Sequence, residues 1–322
     1  SAGELYAAAM LSPQRGYPLF WPAPQAHHPN INNGIAIGDV GCVTVEGKFI
    51  YLFNVFSPAQ GYYDPPGFEP LKLEELNQLN TNSAHLDCDP CCYASAEVEH
   101  PKKLTRCREY IFHGTILALP RGSHQQYLLH GIPRLRMYAA ENAKSWYQYV
   151  VNDLGRKLEH AMGNGSLFNG SLFLVTGHEK ARSWGMACYG YGHPDRDQKF
   201  SLNLNFRKVP GSNAYGWVNG LPGQRQPLTE LMNHDPVDGP LDQTLFLRGW
   251  RLTLGPQAWH EVNSSSTERT SSILQPPLSR LRRGKGPHPP LDVTFTSYPP
   301  GKVKLPRGLN SRIFASGQNM KL

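Results

Sequence analysis

The chain has 322 residues, of which 39% are hydrophobic and 18% are charged. This length predicts about two domains or one large domain, and it excludes a disulfide-dependent miniprotein because a chain of this size buries enough surface to fold without cross-links. The 31 glycines and 28 prolines stay below the content typical of disordered low-complexity chains, and the formal net charge is +7. We therefore expect a soluble, turn-rich globular protein.

The chain begins with helix-forming residues and then becomes irregular. Residues 4–11 are rich in alanine and predict a short helix, which ends at Ser12-Pro13 because proline cannot continue it. Residues 16–24 contain three prolines and three aromatic residues. We expect this segment to form an extended arm that buries Phe20 and Trp21.

Apolar and β-branched runs predict strands along most of the remaining chain. Glu46-Gly47 marks a hairpin turn, because glycine adopts the positive φ that such a turn needs. The strand that follows, 48–56, is apolar on both faces and is expected in the centre of its sheet. The predicted strands are 35–45, 48–56, 93–99, 109–119, 171–176, 183–189, 201–207 and 243–254.

One long helix interrupts these strands. Leucine, tyrosine, tryptophan and valine recur at three- and four-residue steps from Pro133 onward, which is the period of a helix. The pattern ends near Gly155, and we expect its apolar stripe to face the core. Residues 71–79 predict a second, shorter helix.

Together these elements predict an α+β fold with a β-rich core, with one principal helix near 133–154. The core is expected to be sandwich-like or a strongly bent antiparallel sheet. We assign 1–262 to a β-rich globular body, with two subdomains divided near 125–160 as an alternative. Residues 263–322 are assigned to a Ser/Pro-rich linker, which begins at Asn263, and a basic C-terminal segment.

The sequence contains no clear targeting or membrane signal. No apolar run approaches the roughly 20 residues that span a bilayer, and residues 1–10 lack the profile of a secretory signal. We predict a cytoplasmic protein that is not transmembrane, with secretion as the alternative.

Positive charge is concentrated in the C-terminal segment. Residues 276–322 hold nine basic residues against one acidic residue, a balance that attracts nucleic acid phosphates or an anionic membrane surface. The alternative is a solvated segment whose charge only aids solubility. The candidate polyanion-binding residues are Arg280, Arg282, Arg283 and Lys285.

A cysteine cluster offers a second candidate site. It consists of Cys88, Cys91 and Cys92, with His85, His100 and Cys107 nearby in the sequence. Thiolate and imidazole ligands suit zinc, but the usual second pair of closely spaced ligands is missing. Zinc, a disulfide within the cluster and ordinary reduced cysteines all remain open, and we assign no metal and no cofactor.

Candidate catalytic residues are scattered. Cys188 could form a nucleophile system with His178, Glu179 and the His193–Asp197 stretch, although Cys188 lies in a predicted strand, where a thiol usually acts as a small hydrophobe. The sequence lacks the GxxxxGK[ST], GxGxxG, HExxH and GxSxG motifs. Asp39, between Gly38 and Gly41, suits a tight turn in which its side chain caps the backbone.

Several unusual aromatic and glycine motifs follow one another along the chain. They are GYPLFWPAP at 16–24, IGDVG at 37–41, GFEPL at 67–71, MYAAENAKSWYQYVVNDLGR at 137–156, NGSLFLVTGHEKARSWGMACY at 169–189 and FLRGWRL at 246–252. In these motifs the chain resembles a large family of proteins of mushroom-forming fungi (Agaricomycetes), over roughly residues 5–260. That family has no assigned reaction, and its many copies per genome suit recognition or self/non-self defence. The cysteine cluster and the basic segment do not follow the family pattern.

These observations favour a non-enzymatic recognition or interaction module whose ligand is a protein or a carbohydrate. The first alternative is a hydrolase-like enzyme, in which Asp39, His178, His193 and Asp195 converge on a polar pocket. The second alternative is binding of nucleic acid or another polyanion through the basic segment. A polar pocket would favour the enzyme, and an aromatic-lined surface would favour the binding module.

Overall fold

The computed structural model describes residues 2–11, 15–23, 33–57, 64–72, 81–86, 91–98, 112–155, 158, 167–191, 205–212, 214–218, 229–232, 239–269 and 293–298. Within these residues the chain forms three helices and fourteen strands, and the named strands pair antiparallel. The predicted α+β fold with a β-rich antiparallel core and one principal helix is confirmed.

The elements have the following bounds. The helices are α1 Ala2–Met10, α2 Ile132–Asn152 and α3 Pro256–Arg269. The first seven strands are β1 Tyr17–Pro18, β2 Asp39–Val43, β3 Phe49–Asn54, β4 Thr81–Leu86, β5 Cys91–Val98, β6 Phe112–Leu119 and β7 Ser123–Leu128. The other seven are β8 Leu172–Ala181, β9 Gly185–Tyr191, β10 Asn205–Lys208, β11 Tyr215–Val218, β12 Thr229–Met232, β13 Gln243–Leu254 and β14 Val293–Tyr298.

The larger sheet is organised around its two longest strands, β8 and β13. One edge of β8 pairs with β13, and the other pairs with β2 near the start of β8 and with β7 near its end. β3 lies beyond β2, and β4 lies beyond β7. The far edge of β13 pairs with β1 and β14. Every residue of β8 is buried, because strands cover both of its edges and other elements cover both of its faces.

A second sheet continues from the first. Its strand order is β12-β9-β6-β5, while β10 and β11 form a separate pair. Only residues 120–122 separate β6 from β7, and only residues 182–184 separate β8 from β9. Two neighbouring chain segments therefore pass from one sheet to the other, which joins the sheets at a corner.

Helix α2 covers one face of the larger sheet. Leu135, Ala139, Trp146 and Val150 are buried, as the helical period of the sequence predicts. The Trp146 ring meets the Phe53 ring of β3 edge to face, with 5.3 Å between the ring centroids. Burial of each large apolar side chain contributes about 1.5–3 kcal/mol, so packing on the sheet holds this helix in place.

The arm before β2 covers the opposite face. Leu19 packs in a buried cluster with Phe173 and Val175 of β8. Phe20 is buried, as predicted, and its ring lies 5.5 Å from that of Tyr6 in α1. The prediction that Trp21 is buried is wrong, because Trp21 is 45% exposed. Consecutive side chains of an extended segment point to opposite sides, so seating Phe20 in the core turns Trp21 outward.

Two segments beyond residue 262 form regular secondary structure, although the sequence predicted a linker and a basic C-terminal segment there. Helix α3 continues to Arg269, and its first turns are anchored by buried Val262 and by Trp259, whose ring lies 5.3 Å from that of Tyr147. Strand β14 pairs along the edge of the larger sheet. Residues 270–292 and 299–322 lie outside the described residues, and the domain division at residue 262 stays a prediction.

Other predicted elements have mixed outcomes. The hairpin turn at Glu46-Gly47 is confirmed, with Gly47 at φ 80°. Strand β3 was expected in the centre of its sheet, but within the described residues it pairs with β2 alone. It is apolar on both faces because α2 covers one face and the arm covers the other. Residues 71–72 are not helical, and 73–79 lie outside the described residues.

Besides β14, five strands of the described chain had no counterpart in the sequence prediction, and one more was predicted only in part. The five are β1, β4, β7, β11 and β12, while β10 covers the end of the predicted strand 201–207. None of the helices that the structure describes is long and apolar enough to cross a membrane.

Candidate functional site

Most residues of the predicted polyanion and cysteine sites lie outside the described residues. This applies to Arg280, Arg282, Arg283, Lys285, Cys88, His100 and Cys107, and likewise to His193 and Asp195 of the enzyme hypothesis. Cys91 and Cys92 begin β5, where they pair with Leu119 and Ala118 of β6. Within the described part of the chain, no three histidine, cysteine or acidic residues are placed to hold a metal ion.

Cys188 is buried in the second sheet and is protonated at neutral pH. It lies in β9 opposite Thr115 of β6 and Thr229 of β12. Burial raises the pKa of the Cys188 thiol to about 12. The reactive form of cysteine is the thiolate, so this environment is that of a small core residue and not that of an activated nucleophile.

Asp39 is the centre of a tight turn, as its position between two glycines predicts. The Ala36 backbone N–H donates to Asp39 Oδ2 at 2.7 Å, and Asn54 Nδ2 donates to Asp39 Oδ1 at 2.7 Å. Asn54 also donates to the Ile37 carbonyl and accepts from the Phe56 N–H. Both carboxylate oxygens of Asp39 are therefore engaged in fixing the loop that leads into β2.

The second half of β8 carries an ionisable group at three consecutive positions, His178, Glu179 and Lys180. Lys180 Nζ donates a hydrogen bond to the Asn33 carbonyl at the start of the Asp39 loop. Burial lowers the pKa of Lys180 to about 8, while the negative charges of Asp39 and Asp242 act in the opposite direction. Lys180 therefore holds the loop against the sheet.

His178 lies beside Lys180 and is 5% exposed. Burial, together with the nearby positive charges of Lys180 and His124, holds the pKa of His178 well below its usual value. Its Nδ1 has no hydrogen-bond partner within the described residues. Asp39 and His178, two of the four residues in the enzyme hypothesis, thus share Lys180 as a neighbour, and His178 is a neutral ring inside the fold.

Glu179 anchors a polar cluster that is fully enclosed. Glu179 is 0% exposed. Arg15 Nη2 lies 2.8 Å from its Oε1, and the Ser123 hydroxyl donates to Oε1 at 2.6 Å. Gln125 Nε2 donates to Oε2 at 3.0 Å. The Arg15 guanidinium also lies over the Phe246 ring, 4.9 Å from its centroid. The cluster ties the chain before β1 to strands β7, β8 and β13.

The sequence prediction named His178 and Glu179 but missed the role of Arg15 and Lys180. A signal was present, since three consecutive ionisable residues occur in a strand that is otherwise apolar, LFLVTGHEKA. A charged run in a strand that is covered on both faces must find buried partners. The partners themselves are remote in sequence, so the run predicts a polar cluster without naming its members.

The most exposed aromatic side chain at the arm is Trp21. Its backbone N–H donates to the Gly47 carbonyl at 3.1 Å. The backbones of Trp21 and Lys48, the residue after the turn, also form an isolated parallel β-bridge. The Trp21 ring stands edge to face on buried Phe20, 6.0 Å between the centroids. Val45, in the same turn, is 55% exposed. We call the surface formed by Trp21, Val45 and Lys48 the Trp21 patch.

Comparison with known proteins adds no family assignment. No protein-family model, no curated protein and no solved structure matches the chain. Inferences about function therefore depend on the residues described above.

Proposed function

We propose that the chain is a non-enzymatic recognition module that binds a carbohydrate or protein ligand through the Trp21 patch. The observation that carries this proposal is the exposure of Trp21 on a rigid support, between a buried phenylalanine and a hairpin turn. Membership of the fungal family, with a cytoplasmic role in recognition or self/non-self defence, is part of the proposal and follows from the motifs alone.

The state of the candidate catalytic groups supports binding over catalysis. Both oxygens of Asp39 cap a loop, and both oxygens of Glu179 accept hydrogen bonds inside the core. His178 is neutral and buried, and Cys188 is protonated at neutral pH. A general base or nucleophile needs an accessible atom next to a substrate, and these four groups contact the protein interior instead.

The chemistry of the Trp21 patch suits a ligand with an apolar face. Covering the exposed part of a tryptophan ring contributes roughly 2–3 kcal/mol from the area removed from water. Tryptophan is enriched among the residues that dominate binding energy, and an indole ring stacks well on the C–H face of a pyranose. Lys48, exposed beside the ring, can donate hydrogen bonds to hydroxyl or carboxylate oxygens at the rim.

The test is retention on immobilised polysaccharides, with chitin, β-1,3-glucan and mannan as probes. Trp21→Ala should lower retention at least about tenfold, because it removes the aromatic contact. Phe168→Ala removes another exposed aromatic ring, 53% exposed, from a different loop and should leave retention unchanged. Both variants should melt like the original chain. If Trp21→Ala is retained as well as the original chain, the proposed patch is contradicted. If none of the three polysaccharides retains the original chain, the ligand is not one of these carbohydrates and a protein ligand is to be tested instead.

A further inference from the structure

Strand β14 is seated on the edge of the larger sheet although it is distant from the body in sequence. It pairs antiparallel with β13, from Gly249 opposite Tyr298 to Leu254 opposite Val293. Main-chain hydrogen bonds of this kind accept an extended segment whatever its side chains. Specificity must therefore come from the side chains that contact the strand.

Two aromatic residues of β14 are held on opposite faces of the sheet. On one face, the Phe295 ring meets the Trp250 ring edge to face at 5.7 Å, and the Arg136 guanidinium of α2 lies over Phe295, 4.7 Å from its centroid. Thr294, Thr296 and Ser297 are exposed. The side chain at the third position of the strand, Phe295, is therefore recognised by an aromatic ring and by a guanidinium group.

The other face holds Tyr298. The centroid of its ring lies 5.5 Å from that of the Tyr17 ring and 5.9 Å from that of the Phe173 ring. The Arg251 guanidinium lies over both tyrosines, 5.5 Å from the centroid of Tyr17 and 5.7 Å from that of Tyr298. The side chain at the sixth position, Tyr298, thus also contacts aromatic rings and an arginine. Side chains therefore hold the strand on both faces of the sheet.

The covalent link between β14 and the body is long. Helix α3 ends at Arg269 and β14 begins at Val293, and the residues between them reach roughly 75–80 Å when fully extended. This length is sufficient for β14 to separate from the edge of β13 while α3 stays in place. Because β14 belongs to the same chain as the edge that it occupies, an external segment must compete with it.

We propose that the edge of β13 from Gly249 to Leu254 is a groove for an extended segment of a partner protein, one that carries aromatic residues at its third and sixth positions. The chain's own Val293–Tyr298 occupies this groove at rest and shows the chemistry that the groove accepts. The groove is separate from the Trp21 patch, so this inference goes beyond the proposed function. It makes the chain a peptide-binding protein in which the partner segment displaces β14.

The probe is a fluorescein-labelled peptide that copies residues 290–301, and the readout is fluorescence anisotropy with the full chain. Phe295→Ala/Tyr298→Ala removes both aromatic anchors of the resident strand and should lower the Kd for the peptide at least about tenfold relative to the original chain. Thr294→Ala/Thr296→Ala changes two exposed residues of the same strand and should behave like the original chain. A peptide with alanine at both aromatic positions should bind at least about tenfold more weakly.

A second variant tests the groove without weakening the fold. Thr253 and Thr294 lie directly opposite each other, so Thr253→Cys/Thr294→Cys should form a disulfide that locks β14 in its seat. The oxidised chain should not bind the peptide, and reduction should restore the binding of the original chain.

Three results would overturn the proposal. The first is equal binding of the peptide to the locked and reduced chains, and the second is absence of binding to a folded Phe295→Ala/Tyr298→Ala chain. The third is a dimer of the original chain that dissociates with the same double substitution, because the groove would then hold the strand of a second copy. Trp21→Ala should leave peptide binding unchanged, which separates this test from that of the Trp21 patch.

Discussion

The two halves of β8 are equally buried but are stabilised in different ways. Residues 172–175 are apolar and pack against helix α2 on one face and the arm on the other. Residues 178–180 are ionisable, and two of them bind partners: Lys180 binds the Asn33 loop, and Glu179 binds the chain before β1 and strand β7. One half depends on close packing, and the other depends on every charge keeping its partner.

This difference predicts different responses to substitution. Truncating an apolar side chain leaves a cavity, whose energetic effect depends on how far the surroundings can relax. Truncating one member of a buried ion pair leaves the other charge without compensation, which costs more than the pair contributes. The charged half of β8 should therefore be the more sensitive half, although it contributes no apolar packing of its own.

The largest effect is expected for Glu179→Ala. This substitution leaves Arg15, Ser123 and Gln125 facing a cavity, and it should lower the free energy of unfolding by about 3–5 kcal/mol. Urea denaturation followed by tryptophan fluorescence measures the change. Glu179→Gln keeps the shape and an acceptor oxygen and should cost less. A loss below about 1 kcal/mol for Glu179→Ala would show that the cluster does not hold the fold.

The apolar half gives the matched comparison. Leu174→Ala removes a fully buried side chain and should lower the free energy of unfolding by about 3 kcal/mol. The same urea titration measures it, with Val45→Ala as a control at an exposed position. If Leu174→Ala costs more than Glu179→Ala, the ranking of the two halves is reversed.

The next effect is a dependence on pH. The folded-state pKa of His178 is held well below its unfolded value, so below about pH 6.5 the unfolded state binds a proton that the folded state does not. Stability should therefore fall as pH falls, by up to about 1.4 kcal/mol per pH unit from this residue. Lys180 and His124 are the positively charged groups that face it.

The variant that isolates this effect is His178→Leu, which removes the titrating ring and keeps an apolar side chain. Urea titrations at several values between pH 5 and pH 7.5 should show a shallower loss of stability in this variant. His130→Leu changes an exposed histidine and should keep the original slope. Equal slopes in all three chains would mean that His178 does not cause the acid sensitivity.

The smallest of these effects is expected at the loop that Lys180 holds. Asp39→Ala removes the acceptor for the Ala36 N–H and for the Asn54 amide, and it should lower the free energy of unfolding by about 1–2 kcal/mol. Thermal unfolding measures the loss. Glu46→Ala, an exposed acid in the neighbouring turn, is the control. An unchanged melting temperature for Asp39→Ala would contradict a structural role for this carboxylate.

The local sequence was enough to predict the elements that are determined by periodicity, by an apolar run or by turn residues. The three- and four-residue period located α2, and the run 243–254 coincides with β13. The turn at Gly47 and the cap at Asp39 followed from glycine and aspartate chemistry. In each case the determining residues lie within a few positions of one another.

Tertiary context decided the elements that the sequence did not predict. The serines and threonines of α3 suggest a linker, but Trp259 and Val262 anchor its first turns against α2. Strand β14 lies in a proline-rich basic segment and is ordered by the edge of β13. The partners of Glu179 and Lys180 come from positions remote in sequence, Arg15, Ser123 and Asn33, so no local pattern could reveal them.

The most direct test of a structural role for the charged half of β8 is a double-mutant cycle between Arg15 and Glu179. The free energy of unfolding is measured for Arg15→Leu, Glu179→Leu, the double variant and the original chain. Because each single variant strands a buried charge, we expect the double variant to be more stable than the sum of the single losses by about 2 kcal/mol or more. Additive losses would contradict the account, since they would show that the two charges do not depend on each other.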